Sequence, residues 1–174
     1  MIIRKANCEN DIIAAGEIYE EIHTEEEAGR AVIGWARGVY PTVEDARNSF
    51  RKDELFVMEC DGEIVASAKI NREQVDVYAN ASWSVNAPAD EVMVLHTLTV
   101  SPRHGRKGYA CAFVKFYEAY ALENGCRYLR IDTNERNANA RKLYKKLGYT
   151  EVGIVPCVFN GISGVNLVCL EKNL

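Results

Sequence analysis

Long apolar runs are missing from this sequence. Nowhere does it approach the roughly 18 consecutive apolar residues that span a bilayer, and its first 30 residues hold no apolar core of a secretion signal. A cytoplasmic protein without membrane contact is therefore expected. The six cysteines, Cys8, Cys60, Cys111, Cys126, Cys157 and Cys169, are scattered and form no C-x-x-C pair, and histidine occurs only at His23, His96 and His104. That scatter offers no metal-ligand spacing, so reduced thiols that behave as small apolar residues are expected, and no metal. An excess of positive charge is absent as well. Lysine and arginine number 21 against 25 aspartates and glutamates, a net charge of −4, without the broad basic footprint of a nucleic-acid binder. Also missing are the phosphate loop G-x-x-x-x-G-K-[ST], the dinucleotide fingerprint G-x-G-x-x-G and the nucleophile elbow G-x-S-x-G. Their absence weakens nucleoside triphosphate and NAD chemistry and leaves Ser-His-Asp hydrolysis without an anchor.

What is present is an ordinary globular composition, 48% hydrophobic and 26% charged over 174 residues. It predicts one domain over residues 1–174 with its own core. Met1–Ala6 reads as a short strand, and Asn10 or Asp11 as the cap of a helix carrying Ile12, Ile18, Tyr19 and Ile22. Glu20, Glu21, Glu25, Glu26 and Glu27 form an acidic run, read as a solvated face or as the lining of an opening for a cationic substrate. Thr42-Val-Glu-Asp45 is a capping-box-like start to a helix through Arg51. Leu55–Cys60 and Ile64–Ile70 flank Asp61-Gly62, a hairpin signal, and Asn160-Gly161 joins a terminal pair in the same way. Between them, Glu91–Val100 reads as a strand, Lys107–Asn124 as a helix, Cys126–Asp132 as a strand and Asn137–Leu147 as a helix ended by Gly148. Gly29–Tyr40 and Asn71–Asp90 carry no readable period. This order predicts an α/β fold with a mixed sheet and a central βαβ unit.

The chemistry concentrates in Val94–Ala110. A buried strand runs into a loop that ends at a helix start, where free backbone N–H groups and the helix dipole favour an anion. Gly108 lets backbone approach closely, and Arg103, Arg106 and Lys107 gather positive charge in an acidic chain. A phosphate cradle is the functional reading; a plain strand-to-helix turn with solvated basic residues is the other.

The stretch Gly105-Arg-Lys-Gly108-Tyr-Ala110, directly after Leu98-Thr-Val100-Ser-Pro102, resembles the Q/R-x-x-G-x-G/A motif of the GNAT superfamily of N-acetyltransferases, with Gly105 where that family usually has Gln or Arg. A second motif of the superfamily, N-x-x-A-x-x-L-Y-x-K-x-G-[FY], stands as Asn137, Ala140, Leu143, Tyr144, Lys146, Gly148 and Tyr149. The resemblance implies a mixed, mostly antiparallel sheet of about six to seven strands with flanking helices. It implies transfer of an acetyl group from acetyl-CoA to a primary amine of a small molecule or peptide, in a ternary complex. A CoA-binding sensor or assembly module on the same fold is the alternative, and a homodimer is compatible with the terminal strands.

By the same resemblance, acetyl-CoA contacts the backbone of Leu98, Thr99 and Val100 and the loop residues Arg106, Lys107, Gly108, Tyr109 and Ala110. Arg103 or Arg106 supplies the side chain that Gly105 lacks. Asn137 matches a coenzyme-contacting Asn and is also placed to cap its helix. Tyr144 matches the proton donor to the leaving thiolate, while the i, i+3, i+4, i+7 spacing of Ala140, Leu143, Tyr144 and Leu147 puts it on an apolar face. His96, at the strand parity of Leu98 and Val100, titrates near neutrality and is the candidate base; core packing is its plainer role, and Glu91 and Asp132 rank behind it.

Overall fold

The computed structural model describes residues 1–174. Eleven regular elements follow in chain order: β1 (Ile2–Lys5), α1 (Glu9–Glu27), α2 (Val43–Arg51), β2 (Leu55–Cys60), β3 (Glu63–Asn71), β4 (Val92–Val100), α3 (Tyr109–Glu123), β5 (Tyr128–Asn134), α4 (Ala138–Lys146), β6 (Thr150–Phe159) and β7 (Ile162–Asn173). The strands form one open seven-stranded sheet in the order β1-β2-β3-β4-β5-β7-β6. Only β4 and β5 pair in parallel, joined through α3, and every other neighbour is antiparallel. The mixed, mostly antiparallel sheet with flanking helices is thus present.

Both faces of the sheet are covered, and this explains why consecutive residues of β2 are buried rather than alternate ones. Leu55 and Val57 face Ile12, Ala15 and Tyr19 of α1. Phe56 and Met58 face the other way, into a core shared with Phe113, Val114 and Tyr117 of α3 and Tyr144 of α4. The hairpin turns have Asp61 at φ 52° with Gly62 at 81°, and Asn160 at 50° with Gly161 at 78°. Two successive positive φ values are what a tight type I′ turn demands, and Asp-Gly and Asn-Gly meet that demand cheaply.

The α2 start is the capping box that its sequence predicts, Thr42 N–H donating to Asp45 at 2.7 Å and Asp45 N–H to Thr42 Oγ1 at 3.4 Å. The start of α1 differs. Cys8 occupies the cap position without a side-chain bond. Asp11 lies inside the helix, accepting the Asn7 N–H at 2.8 Å and both arms of Arg4 at 2.7 and 3.1 Å.

The acidic run at the end of α1 is not simply a solvated face. Arg37 pairs with Glu20 and Glu27, Arg30 with Glu25, and Glu26 accepts the N–H groups of Ile33 and Gly34. Together they tie residues 29–40 down as a strap. The strap reaches the end of β5, where a Cβ on Gly34 would overlap the Asn134 side-chain amide. Replacing Glu26 by Ala removes the acceptor of two backbone donors, and we expect limited proteolysis within residues 29–38 to accelerate several-fold while the melting temperature falls little. Unchanged cleavage kinetics would show that the arginine pairs suffice.

Candidate active site

The parallel pairing of β4 with β5 lasts only from Val92↔Tyr128 to Leu95↔Ile131. Tyr117 closes the paired end from below, its hydroxyl donating to Met93 O at 2.6 Å and Arg130 O at 3.2 Å. Beyond Leu95 the two strands separate, leaving one edge of residues 96–100 without a strand partner. On its other edge β4 carries a bulge: Lys69 pairs with His96 but Ser67 with Thr99, so two residues of β4 oppose one of β3. Thr97 sits there at φ +51°, a rare conformation for a β-branched residue, and its Oγ1 is hydrogen bonded to the Tyr40 hydroxyl of the strap.

The bulge overturns the strand parity expected for His96. Leu98 and Val100 pack toward the α3–α4 core, whereas His96 shares the opposite face with Lys69 and donates from Nε2 to Asn71 Oδ1 at 3.0 Å. The Asn71 amide is oriented by the Glu73 N–H, which donates to the same Oδ1 at 3.0 Å. Burial, and next the nearby Lys69 charge, push the His96 imidazole down to about 4. It is therefore neutral and weakly basic near pH 7.

A cavity of about 770 Å³ runs through this separation. On the α3–α4 side it is lined by Leu98, Val100, Gly105, Ala110, Asn137, Ala140 and Tyr144; on the other by Trp35, Tyr40, His96, Asp132, Phe159 and Ile162. Asn137 holds its cap role, its Oδ1 accepting the Ala140 N–H at 3.1 Å. Thr99 presents only backbone to the gap, because its hydroxyl is engaged with Ser67 at 2.8 Å.

The loop before α3 is built for an anion. No N–H from Arg106 through Cys111 donates to another backbone group, and Gly108, the residue before the helix, adds no side-chain cap. Gly108 has φ +80°, and a Cβ placed on it would meet nothing within 4 Å. The open space beside unpaired donors fits a diphosphate. Arg106 and Lys107 are exposed there. Arg103 is paired with acid: its exposed guanidinium lies 2.7 Å from Glu21 and 3.4 Å from Glu63, which offset the charge the sequence assigned to the cradle. Gly105 has an ordinary backbone, and a Cβ there would only touch Pro102 O at 3.4 Å. We expect Gly105→Gln to fold and to bind acetyl-CoA at least as well as the parent, measured by calorimetry; a loss above about tenfold, 1.4 kcal/mol, would mean that the bare glycine is required.

Tyr144 is buried, its ring edge-on to that of Tyr149 with centroids 5.9 Å apart, and its hydroxyl makes no hydrogen bond within the protein. Burial, with the Asp132 charge second, raises its pKa, so it remains a neutral donor. Asp132 is half-buried at the point where β5 leaves β4, and Tyr78 Oη donates to its Oδ2 at 2.7 Å. Tyr40, Trp35 and Tyr78 come from the two segments without periodicity, and no sequence signal marked them.

The chain belongs to the GNAT acetyltransferase family, whose model matches residues 15–149. Among characterised proteins it is 30% identical over 107 residues to streptothricin acetyltransferase of Escherichia coli; that match covers 60% of this chain and 58% of the relative. Its fold is similar to an N-acetyltransferase of Staphylococcus aureus Mu50, with a TM-score of 0.71 at 18% identity over 99% of this chain and 97% of that one. It is also similar to the Salmonella typhimurium protein yncA, solved with its cofactor acetyl-CoA, with a TM-score of 0.68 at 21% identity over 100% and 94% of the two chains.

Proposed function

We propose that this protein transfers an acetyl group from acetyl-CoA to the primary amine of a compact small molecule, by direct attack while both are bound. The observation that carries this reading is the cavity through the β4–β5 separation, which joins the anion-binding loop on one face of the sheet to an aromatic chamber on the other. Acetyl-CoA supplies the activated acyl thioester. The N–H groups of Arg106 to Cys111 hold its diphosphate, and the free edge of Leu98–Val100 aligns the arm that leads inward. Arg106 and Lys107 add charge at the surface, Tyr109 and Ala110 form the first helical turn, and Asn137 fixes the start of α4. Tyr144 donates a hydrogen bond to the departing sulfur.

The acceptor is compact because the chamber is roofed. The strap abuts Asn134, and Val39 Cγ1 would stand 3.3 Å from a Cβ on Gly161 in the β6–β7 turn. The similarity to the Escherichia coli protein named streptothricin acetyltransferase supports acetyl transfer. The test is release of CoA thiol from acetyl-CoA with a panel of small amines and short peptides, each product checked for an added acetyl group by mass spectrometry. Amine-dependent release is expected. Tight acetyl-CoA binding with no release for any amine would mark a binding module instead.

A further inference from the structure

We propose that Asp132 receives the acceptor's ammonium group and takes its proton, with Tyr78 as the positioning residue behind it. The proposal rests on the acetyl-transfer reading of the cavity. Three features of the geometry carry it. Asp132 lies one residue past Ile131, the last residue of β5 paired with β4, so its carboxylate stands where the two faces of the sheet communicate. It shares its face with His96 and Lys69 and with its register partner Cys169. Its single hydrogen bond comes from Tyr78, which uses one oxygen and leaves the other, on a residue that lines the chamber, without a partner in the protein.

The groups around it leave the carboxylate without a cation. Cys169 on β7 and Cys157 on β6 are thiols raised by burial, the first to about 12. Tyr40 on the strap and Tyr144 on α4 are phenols raised by burial, and His96 on β4 is neutral. Arg130, two residues earlier on β5, is turned onto the Trp83 ring at 4.0 Å and bonded to Gln74. Lys69 is held by Glu54 and Glu73. An aspartate kept unpaired in a cavity destabilises the fold unless a ligand supplies the positive charge. A primary ammonium is the group that fits: it pairs with the carboxylate and must lose a proton before its nitrogen can attack.

The proton balance closes. The ammonium gives one proton to Asp132, which later releases it to solvent. The freed lone pair forms the C–N bond as the C–S bond breaks; a second N–H proton passes to the sulfur through the Tyr144 hydroxyl, and the third stays on the amide. Burial raises the Asp132 carboxyl to about 6, opposed by the Tyr78 hydrogen bond, close to what a base working near neutrality needs. Tyr78 is itself fixed, since Trp83 Nε1 donates to its carbonyl at 2.8 Å and the Trp83 ring packs against its own at 5.1 Å.

The experiment is the pH dependence of kcat/KM for phenethylamine and lysine at saturating acetyl-CoA, in the parent, Asp132→Asn, His96→Gln and Tyr78→Phe. The parent should rise from low pH along a limb with an apparent pKa near 6. Asp132→Asn should lose on the order of 10³-fold at pH 8, within the range for general-base catalysis, and lose the limb, with acetyl-CoA affinity unchanged. His96→Gln should keep the limb. Tyr78→Phe should move it to higher pH, because the bond it removes favours the carboxylate; a purely structural role for Tyr78 would lower activity at all pH values without moving the limb. A limb that persists in Asp132→Asn, or vanishes in His96→Gln, overturns the proposal.

Melting of the ligand-free protein judges Asp132 without reference to turnover. The folded carboxyl titrates higher than the unfolded one, so burying its anion costs stability above pH 6 and nothing below about pH 4, where both states are protonated. Asp132→Asn should therefore melt higher than the parent at pH 8 and alike at pH 4. If the parent releases no CoA with phenethylamine or lysine, the acetyl-transfer reading fails for these amines; equal melting of parent and variant at pH 8 would then remove Asp132 as an unpaired anion as well.

Discussion

Gly108→Val should weaken acetyl-CoA binding by on the order of 100-fold, about 2.7 kcal/mol. Two effects act in one direction. At φ +80° a β-branched residue costs about 1–2 kcal/mol of backbone strain, and the chain relieves it by rotating the N–H groups that flank the position. The side chain also fills the space beside those groups, where a Cβ meets no atom within 4 Å beyond its chain neighbours. Strain alone lowers the melting temperature by roughly 2–4 °C per kcal/mol in a chain of this size. Calorimetry separates the two when Gly108→Ala is measured beside it, since alanine adds only a Cβ and a smaller strain. Affinity for acetyl-CoA that is unchanged in the valine variant would remove this loop as the diphosphate site.

How much of this was legible in the sequence depended on whether the signal was local. The Asp61-Gly62 and Asn160-Gly161 turns and the Thr42–Asp45 capping box each depend on the residue's own backbone preference and are found where they were expected, whereas α3 starts at Tyr109, two residues after the expected Lys107, with the left-handed Gly108 ahead of it. The bulge in β4 is the opposite case. In Leu95-His-Thr-Leu-Thr-Val100 the three-residue step from Leu95 to Leu98 breaks the alternation, but Thr97 is a residue type that resists positive φ, so the sequence does not say how the extra residue is absorbed. Pairing with Ser67 and Lys69 on one side and the Tyr40 hydroxyl on the other imposes it. His96 was placed on the wrong face for this reason.

Charge was misread in the same way. Arg103 and the glutamates of α1 look like free surface charge along the chain, yet they neutralise one another across 82 residues in the Glu21–Arg103 pair and across the strap. Asp132 was visible as a carboxylate in an apolar strand, but its distinguishing partner, Tyr78, lies 54 residues away in a segment without period.

Tyr144→Phe should lower kcat by about 10²-fold, the lower end of the general-acid range, without changing acetyl-CoA affinity or melting temperature. The ring is buried against Tyr149 and the α3–α4 core, and phenylalanine keeps that packing. The hydroxyl has no partner in the protein, so its loss breaks no internal hydrogen bond. Its effect must come from what it does during the reaction. Burial holds the phenol well above its ordinary pKa, higher than a thiol, so complete transfer of its proton to sulfur is uphill. Tyr144 therefore stabilises the departing sulfur by hydrogen bonding and passes a proton only as another arrives from the attacking nitrogen. That coupling explains why the penalty is moderate, and it predicts a further dependence. Acyl donors whose thiols are more acidic need the hydroxyl less, so the ratio of parent to variant kcat should fall as the leaving thiol's pKa falls, with chemistry limiting the rate. A ratio that stays constant across such donors would leave Tyr144 as a packing residue whose loss slows the enzyme by other means.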